Sequence, residues 1–167
     1  MSKNFVTGLF KTRAAAEAAV DAIIKRGYTR DDISVLMSDA TKSNEFAVQT
    51  RTHAADGLGI GSAIGGTVGA VLAAIVAVGT SIAIPGVGIA VAGPIAAALA
   101  GAGAGGATGG LIGMLVGAGI PEHRAKVYET GVRGGGILLG VEAKTNEEVE
   151  KLETLMEDLG AEYVRAE

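Results

Sequence analysis

The sequence predicts an α+β fold: a ferredoxin-like (βαβ + βαβ) sandwich split by a long Gly/Ala-rich helical hairpin insertion. Three observations carry that prediction. Each end of the chain holds an apolar strand pattern, a Thr-capped amphipathic stretch and a terminating glycine. The two ends also superimpose, Lys11-Thr12 on Lys144-Thr145 and Gly27 on Gly160, with Ala16 on Val149, Ala19 on Leu152 and Ile23 on Met156. Between them, from Gly57 to Ile120, the chain carries no Asp, Glu, Lys, Arg or His, and glycine recurs at every fourth position.

The elements follow in order. Asn4 to Phe10 reads as a strand. Thr12 can cap the next helix, in which Ala16, Ala19, Val20 and Ile23 share a face. Gly27 stands where a left-handed cap ends a helix. Asp31 and Asp32 turn the chain into a second strand from Ile33 to Met37, which completes the first half, residues 1–38. Residues 39–56 form a polar linker, and residues 57–120 the hydrophobic insertion. The insertion reads as two helices, Gly57 to Val78 and Ile95 to Ala118, around an irregular hairpin turn containing Pro85, Gly86, Gly88, Gly93 and Pro94. A connecting helix over residues 121–134 starts at Pro121, with Glu122 favourably placed in its first turn, and ends at Gly131. Residues 135–167 are the second half. Gly135 to Ala143 is its strand, and Thr145 with Glu148 forms a capping box. Val149, Leu152, Leu155, Met156 and Leu159 make the buried face of a helix ending at Gly160, and Ala161 to Ala166 is an edge strand. Right-handed crossovers put the first and third strands of such a sandwich at its centre.

The glycine series are Gly57, Gly61, Gly65, Gly69 and Gly101, Gly105, Gly109, Gly113, Gly117. Residues four apart lie on one helix face, so each series forms a stripe without side chains. Glycine inside a helix costs about 1 kcal/mol relative to alanine. Close backbone-to-backbone packing is the feature that offsets such a cost, as in small-xxx-small helix pairs. Homo-oligomerisation through these stripes is the expected role. Two settings stay open. Each flanking segment can supply the ~20 residues that cross a bilayer, and Arg51, Arg124 and Lys126 would keep both ends on the cytoplasmic side. Alternatively the helices are buried in protein as the apolar core or lumen of a soluble shell, ring or filament, holding lipid or another apolar ligand.

Composition narrows the rest. The net charge of −4, without a basic stripe interleaved with aromatics, argues against nucleic acid as a partner. The absence of cysteine removes disulfides, thiolate nucleophiles and Cys-based metal sites. The polar start MSKNFVTGLFKTR is unlike a signal peptide, which leads to the expectation of a cytoplasmic protein, peripheral or integral at the inner face of the membrane if lipid is its setting.

Gly101-Ala-Gly103-Ala-Gly105-Gly106 satisfies G-x-G-x-x-G but sits inside the four-residue glycine period, so packing is the reading over dinucleotide binding. His53 and His123 flank the insertion without a cysteine or committed carboxylate beside them, so no metal site is expected. Glu147, Glu148, Glu150, Glu153, Glu157 and Asp158 line a solvated helix face, where nothing separates carboxylate pKa values for acid–base work. No catalytic or cofactor-binding residue is assigned, and no enzyme is expected.

Several blocks together resemble a bacterial family: Ile33-Ser-Val-Leu-Met-Ser-Asp39, Ile84-Pro-Gly-Val-Gly88, Ala92-Gly-Pro94, Ala96-Ala-Ala-Leu-Ala-Gly101, Gly109-Gly-Leu-Ile-Gly113, Gly119-Ile-Pro-Glu122 and Gly134-Gly-Gly-Ile-Leu-Leu139. The chain resembles the general stress protein 17M-like, heat-induced stress protein YflT-type domain family, with its low-temperature-induced relatives. The resemblance covers most of the chain. It implies a bacterial stress-associated protein and brings no catalytic residues to transfer.

Overall fold

The computed structural model describes residues 4–43, 75, 82–84, 88–96 and 105–166. Strand β1 (Asn4–Phe10) leads into α1 (Arg13–Lys25), and a 3-10 turn (Arg30–Asp32) leads into β2 (Ile33–Ser38). A short hairpin follows, β3 (Ile82–Ile84) and β4 (Ile89–Ala92). Helices α2 (Gly105–Gly117) and α3 (Glu122–Arg133) precede β5 (Ile137–Ala143), α4 (Asn146–Asp158) and β6 (Glu162–Ala166). The fold is α+β, with one antiparallel sheet in the order β3-β4-β2-β5-β1-β6.

The two terminal units interlock in that sheet. β1 and β2 both pair antiparallel with β5, so they run parallel to each other with β5 between them. β5 and β6 likewise flank β1. The sequence correspondence between the halves recurs as geometry. Thr12 Oγ1 accepts from Ala15 N–H and Thr145 Oγ1 from Glu148 N–H, each at 3.3 Å. Each helix then runs thirteen residues to a glycine in the left-handed region, Gly27 at φ 94° and Gly160 at φ 89°.

Both faces of the sheet are buried. On one, α1 and α4 pack Ala16, Ala19, Val20, Ile23, Leu152 and Met156 against Val6, Phe10, Val35, Ile137, Leu139 and Val141. On the other, Leu111, Met114 and Leu115 of α2 and Ala125, Tyr128 and Val132 of α3 cover Leu9, Leu36, Ile89, Val91 and Leu138. A second helical layer is therefore added to the expected two-layer sandwich. Its cause is legible in β5: Ile137, Leu138 and Leu139 are consecutive, so the strand has no side that tolerates water.

Where an irregular hairpin turn is expected between two helices, over residues 84–94, the chain instead forms the strands β3 and β4. Ile89 and Val91 point to one core and Ala90 and Ala92 to the other, an alternation that only a strand presents. β4 pairs with β2 and extends the sheet. Gly88 (φ 68°) turns the hairpin, whereas Pro85 and Gly86 lie outside the described residues. At Gly93 (φ 88°) a Cβ would stand 2.1 Å from the Ile33 carbonyl oxygen, so the chain leaves the sheet where only glycine fits. Residues 94–96 then start a helix, and Ser34 Oγ accepts the Ile95 N–H at 3.0 Å.

Two further expectations change. The predicted helix from Ile95 to Ala118 is not one regular rod, since α2 carries Gly110 at φ 59°, ψ −156°, outside helical values. Gly131 does not end α3, which continues to Arg133 and is closed by Gly134 and Gly135 (φ 100°). It is instead a point of close approach, because a Cβ there would lie 2.2 Å from Leu9 Cδ2.

Candidate functional site

Of the expected packing glycines, Gly57, Gly61, Gly65, Gly69 and Gly101 lie outside the described residues. Gly105, Gly109, Gly113 and Gly117 belong to α2, where the break at Gly110 changes the phase of the stripe. Gly117, the last residue of that helix, has nothing among the described residues within 4 Å of the position its Cβ would take. Beside it Val116 is 43% exposed, although the inner face of the same helix is fully buried. His53 is also outside the described residues, and His123 is exposed in the first turn of α3. Among the described residues no group of three His, Asp or Glu is placed to hold a metal ion. On α4, Glu148 Oε2 accepts the Lys144 N–H at 3.0 Å and Glu153 Oε1 accepts the Ala166 N–H at 2.8 Å, so these two carboxylates tie down backbone.

Sequence reasoning missed a polar cluster under the β6 edge. Thr7 sits at a fully buried position of β1, on the face covered by α3. Its hydroxyl lies 2.8 Å from Tyr128 Oη, and Tyr128 Oη donates to the Tyr163 carbonyl at 2.8 Å. Arg124, one turn before Tyr128, donates from Nη2 to the same carbonyl at 3.1 Å and to Tyr128 Oη. Its guanidinium stands 5.3 Å from the centre of the Tyr128 ring. Burial pushes the Tyr128 phenol up, and the Thr7 hydrogen bond and the Arg124 and Arg165 charges offset part of that shift.

This cluster grips an irregular strand. Thr7 pairs with Arg165 and Leu9 with Glu162, so Tyr163 and Val164 together oppose Gly8 in a β-bulge. Tyr163 is at φ 55° without being glycine, a conformation that costs on the order of 1–3 kcal/mol and persists when its surroundings impose it. The two donors on its carbonyl are that imposition. Tyr163 is 59% exposed and borders an open cleft of about 290 Å³, lined by Arg124, Glu157, Tyr163, Val164 and Arg165. Chemically the cleft offers guanidinium charge, an aromatic face and one carboxylate. Nothing local in the sequence marks the cluster or the cleft, since the residues of the two together come from β1, α3, α4 and β6. A threonine in the middle of an otherwise apolar strand is the one hint.

A second polar group lies under the opposite face. Tyr28 is 7% exposed and, among the described residues, its hydroxyl has no hydrogen-bond partner. Burial first, and then the neighbouring Glu148 and Asp32 carboxylates, push its pKa to about 12. Glu148 acts here as a nearby negative charge, because the geometry of a hydrogen bond to the phenol is not met. Lys144 Nζ lies 5.5 Å from the ring centre. The Asp32 carboxyl sits low: burial alone would raise it, and hydrogen bonds from the Thr29 N–H and hydroxyl, with the Lys144 charge, outweigh that.

Comparison of the chain with protein-family models, with curated proteins and with solved structures gave no match.

Proposed function

We propose that this chain is a non-enzymatic, self-assembling protein of the bacterial stress-associated kind its sequence blocks resemble. Its ends form a ferredoxin-like platform, and its glycine-rich segment joins copies together. The single observation that carries the reading is Gly117. Gly117 ends α2 on its outward side, and among the described residues no neighbour lies within 4 Å of the place its Cβ would take. It closes a four-residue glycine series within a run that carries no charge from Gly57 to Ile120. A bare surface of this kind lets a partner backbone approach closely. The strand order β6-β1-β5-β2 and the matching helix caps support the ferredoxin-like assignment of the platform.

Light scattering on the purified chain tests assembly. The wild type should run as a homo-oligomer, and Gly117→Leu should reduce its mass while leaving the fold intact, because among the described residues nothing lies within 4 Å of the added Cβ. Replacing Gly105, Gly109 and Gly113 by Leu should act in the same direction. A monomeric wild type, or an unchanged mass in both variants, rejects the reading.

Lipid at the inner face of the membrane remains part of this proposal. The soluble version places the glycine-rich helices in an apolar core or lumen; among the described residues no helix is long and apolar enough to cross a membrane.

A further inference from the structure

We propose that the cleft beside the β6 bulge is a binding site for an oxyanion, a phosphate or carboxylate group carried on a body that rests against the Tyr163 ring. Arg165 makes no ion pair or side-chain hydrogen bond among the described residues, although it belongs to the sheet and lines the cleft. An arginine fork presents donors that match an oxyanion two at a time. Arg124 adds a second positive charge from below while its Nη2 holds the bulge. Tyr163 is kept in its left-handed conformation by Arg124 and Tyr128 and is exposed at the rim. Residues held in sparsely populated conformations cluster at ligand clamps, where preorganisation lowers the cost of binding.

The neighbouring carboxylates do not cancel this charge. Glu162 is paired with Lys11 at 2.5 Å, and Glu153 accepts the Ala166 N–H. Among the lining residues only Glu157 is acidic, against two arginines, in a chain whose net charge is −4. Its place suits a ligand with a single oxyanion and an uncharged body.

The test is a titration of the full chain with phenyl phosphate and with inorganic phosphate, followed by NMR shifts of the β6 amides. Phenyl phosphate should move Tyr163 to Ala166, and Arg165→Gln should weaken binding roughly tenfold or more. Arg165→Lys should recover part of the loss through charge without the fork. Glu157→Gln should tighten binding, and Tyr163→Ala should weaken phenyl phosphate more than inorganic phosphate. Arg165 and Glu157 are exposed, so these variants should fold. A parallel arm pellets the protein with phosphatidylglycerol vesicles: Arg165-dependent pelleting places the oxyanion on a lipid headgroup, and a response to phenyl phosphate alone places it on a soluble ligand. No β6 shift with either phosphate, or equal affinity in Arg165→Gln, overturns the site. The site is independent of self-assembly, so Gly117→Leu should bind phenyl phosphate as the wild type does.

Discussion

Tyr28 shows how much one buried oxygen can matter. Its hydroxyl is shielded from water and has no partner among the described residues. An unsatisfied buried polar group costs about 1–3 kcal/mol, so Tyr28→Phe should raise stability at neutral pH by about 1 kcal/mol in chemical denaturation. The same residue sets an alkaline slope. Its pKa is about 12 in the folded chain against 10.0 ordinarily, so the unfolded chain releases the proton first. The resulting stabilisation is complete below pH 10.0 and disappears as the pH climbs to about 12. Tyr28→Phe should therefore flatten the fall in stability over that window. An identical alkaline slope in wild type and variant would count against the burial described for the phenol. Nothing local in the sequence singles out Tyr28, because its burial depends on α4 packing into the same core from the other end of the chain.

Among the elements, α1 and α4 were the most legible. Their Thr caps, apolar spacing and terminal glycines are local signals, each acting within one turn of the residue that carries it. α3 was legible except at Gly131, which local rules read as a stop. The stop reading fails because Leu9 needs the space. Gly131→Ala gains about 1 kcal/mol of helix propensity but forces a contact of 2.2 Å on Leu9, which is 4% exposed and has little room to move. Overpacking costs about 1–3 kcal/mol, and so short a contact belongs at the upper end. A net loss of about 2 kcal/mol is expected from denaturant midpoints. In a Leu9→Ala background the same substitution should become stabilising. Failure of the sign to reverse would mean that the clash is not the cause. The β3–β4 hairpin was misread for the opposite reason: its glycines and proline signal a break, and the break lies at the ends of strands too short to announce themselves.

For the whole molecule, the deciding feature is a sheet covered by helices on both faces. α1 and α4 supply one layer and α2 and α3 the other. The second layer uses the inner face of α2 and leaves Val116 and Gly117 outward. Lysis without detergent followed by high-speed centrifugation separates the two settings proposed for that surface. A soluble assembly should remain in the supernatant at high native mass. A lipid-bound one should sediment and return to solution with detergent, and adding detergent should change its native mass. The candidate cleft is likewise a property of the whole molecule, since its residues meet only when both ends of the chain are in the sheet.

By itself the sequence determined the α+β class, the positions of the terminal strands and helices, their caps, and the uncharged character of the middle third. Those features follow from side-chain periodicity and from backbone preferences that act over a few residues. Tertiary structure alone decided that Ile82–Ile84 and Ile89–Ala92 pair as strands, that Gly131 makes room for Leu9, and that Thr7, Arg124, Tyr128 and Tyr163 converge on one bulge. These outcomes depend on which distant surfaces come into van der Waals contact. Burial, not local propensity, then selects the conformation that leaves the fewest apolar groups in water and the fewest polar groups without partners.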